Sequence, residues 1–175
     1  MVIWIIGLSG AGKTTLANEL VERLRKDNLK VVLLDGDIIR NLFKNDVDHT
    51  IEGRRRNAER LSLLSKFLAD EGIHVVAAVL SIFPEWQDWN RENIPGYTEI
   101  YLKVSLDTLL RREIKNLYGA ALKGEIKNVV GIDIPFPEPV KSDLVINNEL
   151  GREDMSEFVD QIMALEKVQT AISGK

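Results

Sequence analysis

The chain has 175 residues, 45% of them hydrophobic and 29% charged, and a net charge of −4; these values fit one soluble globular domain over residues 1–175, large enough to bury a core. The negative balance argues against nucleic acid as a partner, and the lack of cysteine excludes disulfides, zinc–thiolate sites and thiol nucleophiles. No apolar run approaches the roughly 18 residues of a membrane span and the N-terminus lacks a signal peptide's basic start, so the expected location is cytoplasmic with no membrane partner.

In chain order, short β-branched apolar runs alternate with helical-period segments. Val2–Ile6 reads as a first strand, and Thr14–Lys26 as a helix with Leu16, Leu20, Val21 and Leu24 on one face. Leu29–Leu34, Ile73–Leu80, Thr98–Val104 and Leu144–Ile146 read as further strands. Arg54–Asp70, Asp107–Lys115 and Glu153–Val168 read as helices. Continuous apolar runs separated by helices predict an α/β fold with buried parallel strands. Residues 116–140 stand apart, rich in Gly, Lys and Pro and weakly periodic, which predicts a lid or binding loop.

Between the first strand and the first helix lies Gly7-Leu8-Ser9-Gly10-Ala11-Gly12-Lys13-Thr14, a G-x-x-x-x-G-K-T phosphate-binding loop, followed by Thr15. Its glycines let backbone N–H groups approach phosphate oxygens, and the helix start adds partial positive charge. Lys13 suits the β- and γ-phosphates of ATP, and Thr14 suits Mg²⁺. The run Val31–Arg40 ends a strand in Asp35-Gly36-Asp37, setting two carboxylates at the sheet edge where open α/β folds bind ligands. One can serve Mg²⁺ and the other an attacking hydroxyl; the residues alone leave open which does which. Arg54, Asn57 and Arg60 recur in steps of three on a predicted helix, a stripe suited to an anionic acceptor. His74, in an apolar run, reads as a buried structural histidine, and Trp86 with Trp89 as packing or as an acceptor contact.

Taken together, GLSGAGKTT, Leu34-Asp35-Gly36-Asp37-x-x-Arg40, Arg54-x-x-Asn57-x-x-Arg60, Leu117-Tyr118-x-x-Ala121-x-x-Gly124-Glu125-Ile126-Lys127 and Gly131-Ile132-Asp133-x-Pro135-Phe136-x-x-Pro139 resemble the adenylyl-sulfate kinase family over residues 1 to about 147. The resemblance implies a P-loop NTPase fold, a parallel five-stranded sheet flanked by helices with a lid, and a possible homodimer. It implies transfer of the γ-phosphoryl of ATP to the ribose 3′-hydroxyl of adenylyl sulfate. By that resemblance Gly7, Ser9, Gly10, Ala11, Gly12, Lys13, Thr14, Thr15 and Arg111 bind ATP, Thr14 and Asp35 serve the metal, and Lys13, Asp35 and Asp37 carry the chemistry. Asp37, Arg40, His49, Arg54, Asn57, Ser81, Lys127, Val129 and Ile132 bind the acceptor.

The departures concern the acceptor's base. Where the family places two stacking phenylalanines, this chain has His49 and Val129, and the lid lysine after Leu-Tyr is Gly119. Either His49 and Trp86 stack the adenine, or the base differs. A branch resembling the family phosphorylates cytidine diphosphoramidate and supplies the second case; adenylyl sulfate is the leading reading. A switch-type NTPase and an inactive nucleotide-binding module are the competing classes. The first wants a water-positioning Gln; the second sits poorly with Lys13, Asp35, Asp37 and Arg54 all present.

Overall fold

The structure is a computed structural model that describes residues 1–112, 116–151 and 154–174. Its centre is a five-stranded sheet built from β1 (Val2–Ile6), β2 (Val31–Asp35), β3 (His74–Val79), β4 (Tyr97–Lys103) and β5 (Leu144–Asn147), in the order β2-β3-β1-β4-β5. Every pairing is parallel. The α/β architecture and the parallel five-stranded sheet expected from the apolar runs are present, with strand ends moved by one or two residues.

Successive side chains of β1 face opposite layers, as the pleat requires. Ile3 and Ile5 join a core with Leu16, Leu20 and Leu24 of α1 (Lys13–Lys26) and Phe158 and Ile162 of α7 (Ser156–Met163). Val2, Trp4 and Ile6 join a second core with Leu61 of α3 (Ile51–Asp70) and Ile94, which follows α4 (Pro84–Asn93). Burial on both faces explains why these strands read as unbroken apolar runs.

The helices differ more from expectation. α3 begins a turn before Arg54 because Thr50 caps it: its Oγ1 accepts from Gly53 N at 3.2 Å, and Asp48 Oδ1 in turn accepts from Thr50 N at 3.1 Å. α2 (Gly36–Leu42) starts at the Asp-Gly-Asp turn, capped by Asp35, whose Oδ1 accepts from Asp37 N at 2.9 Å. α4 was not evident from periodicity. Pro84 occupies its first turn, where a missing N–H costs nothing. α5 spans Leu106–Arg112, and the rest of the expected Asp107–Lys115 helix lies outside the described residues. The expected helix Glu153–Val168 is instead two, α7 and α8 (Glu166–Ser173), broken at Ala164 and Leu165; Glu153 lies outside the described residues. Within 116–140, Leu117–Leu122 forms α6, and Val129, Val130 and Ile134 are buried, so this segment is partly helical and anchored in the core.

Candidate active site

The strand order reverses at β1, between β3 and β4, and the crevice beyond the carboxyl ends of the strands is the place where such sheets bind ligands. There the structure has a cavity of about 880 Å³ that draws its lining from the loops after β1, β2 and β3 and from residues 126–130.

The loop after β1 owes its shape to close backbone approach. A Cβ on Gly7 would lie 2.6 Å from the carbonyl oxygen of Leu102, and Gly12 sits at φ +100° as the cap of α1. Lys13 Nζ donates to Leu8 O at 2.8 Å, and buried Asn148 donates to Ala11 O at 2.9 Å, tying the loop to the end of β5. Tyr118 of α6 donates to Ser9 O at 2.9 Å, joining segment 116–140 to the loop; burial pushes its phenol up to about 12.

The two carboxylates at the end of β2 part company. Asp35 Oδ2 accepts from Thr14 Oγ1 at 3.0 Å, which sets a hydroxyl and a carboxylate side by side beneath the loop. Asp37 turns away to Arg40 Nη1, 3.3 Å distant, and its side chain is 72% exposed. Arg40 also donates to Gly36 O at 3.3 Å, and Asn57 donates to the same oxygen at 3.2 Å. Arg40 Nε and Asn57 Oδ1 are buried without a hydrogen-bond partner among the described residues.

Arg54 is committed at two points. Its Nε donates to His49 O at 2.8 Å and its Nη2 to Asn128 O at 2.9 Å, so it bridges the loop before α3 and the segment carrying Val129. Burial, then Arg40, holds its guanidinium below the ordinary value, though it stays charged at any physiological pH. The 128–134 turn is shaped by Asp133, which accepts from Asn128 N and Val129 N, each at 2.6 Å. His49 lines the cavity as an exposed side chain; desolvation first, then Arg40 and Arg54, lower its pKa, which favours the neutral ring at neutral pH.

Of the residues singled out from sequence, Ser9, Gly10, Gly12, Lys13, Thr14, Thr15, Asp35, Asp37, Arg40, His49, Arg54, Asn57, Ser81, Lys127 and Val129 line this one cavity. Gly7, Ala11, Ile132 and Arg111 do not, and Arg111 Nη2 donates to Thr108 Oγ1 at 2.7 Å. Arg60 is spent elsewhere: it forks onto Asp46 at 2.6 and 2.5 Å and lies over Phe43, bracing the α2–α3 loop. His74 is half-buried with Nδ1 3.3 Å from the Met1 amine, a structural contact at the far end of the sheet.

Phe83 and Gln87 carry no assignment from pattern, whereas Trp86 reads from sequence as packing or as an acceptor contact. Phe83 and Trp86 line the cavity. Gln87 is buried and donates to Ser81 O at 2.9 Å and Ser81 Oγ at 3.3 Å. Ser81 itself adopts φ +51°, a costly conformation for a residue other than glycine. The spacing of Phe83, Trp86 and Gln87 beside Pro84 is the signal that was available, had the segment been taken as a helix.

Comparison with known proteins agrees with this geometry. Residues 1–147 match the family described as adenylylsulphate kinase. The cytidine diphosphoramidate kinase of Campylobacter jejuni is 39% identical over 162 residues, covering 93% of this chain and 94% of that protein. The adenylyl-sulfate kinase of Paraburkholderia xenovorans is 37% identical over 174 residues, covering 99% and 96%. Among solved structures, the Mycobacterium tuberculosis APS kinase CysC in complex with AMPPNP and APS has a TM-score of 0.84 at 29% identity, over 93% of this chain and 94% of that one.

Proposed function

Because this chain belongs to the adenylylsulphate kinase family, we propose that it moves the γ-phosphoryl of ATP onto the ribose 3′-hydroxyl of a nucleoside 5′-anhydride, adenylyl sulfate by the family's prevailing reaction. The observation that carries the reading is one cavity in which a phosphate loop, two divergent carboxylates and two arginines meet.

Phosphoryl transfer asks mainly for positioning and charge neutralisation. The loop amides and Lys13 take the β- and γ-phosphates. Thr14 Oγ1 and Asp35 Oδ2, in mutual contact, are hard oxygen donors of the type Mg²⁺ prefers, and among the described residues no cluster of three or more His, Cys, Asp or Glu competes with them. When bound there, Mg²⁺ supplies neutralisation of phosphate charge. Asp37, exposed to the cavity, is the group to orient the 3′-hydroxyl and accept its proton. Arg40 and Arg54 supply the cations for the acceptor's anhydride, with Asn57 beside them. Reliance on ATP and Mg²⁺ fits a cytoplasmic enzyme, and synthesis of 3′-phosphoadenylyl sulfate is a step of sulfate assimilation.

A specific feature favours a second acceptor. His49 and Val129 hold the wall positions where two phenylalanines stack adenine in the resembling family, and the Campylobacter relative acts on cytidine diphosphoramidate. The same reaction on that smaller base keeps every role above. Incubation with ATP, Mg²⁺ and each acceptor in turn, with the 3′-phosphorylated product identified by mass, tests both readings. ADP release that ignores either acceptor sinks them together.

A further inference from the structure

We propose that Trp86, on α4, is the platform on which the acceptor's base stacks. The inference rests on the acceptor reading given above and names the residue that the loss of two phenylalanines leaves unassigned.

Trp86 stands in the acceptor half of the cavity. It follows β3, which pairs with β2, and the β2 end contributes Asp37 and Arg40. The ATP-side features, Asn148 at the phosphate loop and the end of β5, lie on the other flank of β1. Four lining residues carry large or stackable rings. Trp4 is 2% exposed and Phe83 5%, and Phe83 is further covered by the Arg55 guanidinium, 4.5 Å from its centroid. His49 offers a small imidazole. Trp86 is the large ring among them that stays partly exposed while lining the cavity.

Its placement is fixed from three sides. Trp89 packs against it at 5.6 Å and 65°, an edge arrangement favourable to both rings. The preceding turn is pinned by buried Gln87, whose amide holds both oxygens of left-handed Ser81, with Trp4 Nε1 3.4 Å from the same hydroxyl. Arg55 pairs with Glu85, tethering the first turn of α4 to α3. A side chain held this firmly loses little freedom on binding, which is what a stacking platform needs. An indole accepts the face of any base, so it contributes affinity while His49 and Val129 set the preference.

The test uses adenylyl sulfate and, in a separate arm, cytidine diphosphoramidate, with the full-length protein and saturating ATP. Trp86→Ala is expected to raise the KM for whichever acceptor the parent uses by roughly tenfold, within the 5- to 150-fold span of a lost base stack, and to leave the KM for ATP unchanged. In an ADP-loaded titration without turnover, acceptor binding quenches indole emission in the parent and in Trp89→Phe, and the quench is lost in Trp86→Phe. Should Trp86→Ala fail to fold, the Trp86→Phe titration alone decides. Turnover with an unchanged acceptor KM, an equal rise in the KM for ATP, or a quench that survives Trp86→Phe overturns the role of Trp86. A parent that phosphorylates neither acceptor overturns the reaction itself, and this role with it.

Discussion

The proposed cradle for phosphate and the proposed wall for the acceptor's base share a cavity but are made of different material. The cradle is backbone: glycines at Gly7 and Gly12 where a Cβ meets Leu102 O or the φ is +100°, with carbonyls fastened by Asn148 and Tyr118. Few sequences satisfy such constraints, so the cradle is written as a compact motif. The wall is side chains and two loops, His49 on one and Val129 on the other, joined by Arg54 through the carbonyls of His49 and Asn128. A carbonyl puts no demand on the side chain it belongs to, so the wall can change its residues and keep its shape. On the proposed assignment, chemistry is fixed where the backbone is fixed, and substrate preference is free to drift where it is not.

The sharpest way to break this division is at the carboxylates. Asp37→Asn is expected to lower kcat by about 10²–10⁴-fold with the KM for ATP little changed, because its place is on the acceptor side, turned to Arg40. Damage confined to the KM for ATP would put Asp37 on the wrong substrate. Lys13→Ala comes next, at roughly 10²–10³-fold or more in kcat/KM, the scale for removing one donor from a developing charge. Near-parental turnover in a clean preparation would leave the cradle without its main cation role.

The wall responds more gently. Arg54→Lys keeps the charge but loses the planar fork that reaches His49 O and Asn128 O together. A hydrogen bond to a charged group is worth about 1.5–3 kcal/mol, so the acceptor's KM should rise by one to two orders of magnitude. The KM for ATP should hold, since Arg54 touches nothing in the cradle. A lysine variant with parental KM values would mean that charge alone, without the bridge, forms the wall.

Legibility followed the same line. The parallel sheet was readable because strands buried on both faces have no choice but continuous apolar runs, as in Val2–Ile6. The start of α3 was missed because it depends on one hydroxyl, Thr50, and on Asp48 behind it, rather than on periodicity. α4 is hidden because Trp86 and Trp89 after Pro84 read as loop packing or an acceptor contact, and the buried amide of Gln87 looks like any polar residue until Ser81 is seen beside it. Adjacency leaves Asp35 and Asp37 alike, and only their partners, Thr14 for the one and Arg40 for the other, tell them apart.

The smallest effect bears most directly on which base the wall holds. The imidazole of His49 and the buried methyls of Val129 line the cavity without offering a stacked pair of rings. Placing Phe at both positions should raise kcat/KM for adenylyl sulfate by up to about tenfold for each restored stack, each near 1.4 kcal/mol, provided the rings enter the cavity rather than the core behind Val129. Circular dichroism and a thermal melt separate an overpacked core from a rebuilt wall, since the former lowers stability whatever the ligand. If the parent prefers cytidine diphosphoramidate, the same pair should lower its use, because two added rings narrow a pocket fitted to a smaller base. If the parent already turns over adenylyl sulfate well and the phenylalanines harm it, His49 and Trp86 have taken over the stacking. The drift in the wall then changed its residues without changing its substrate, and the separation between cradle and wall is one of construction rather than of specificity.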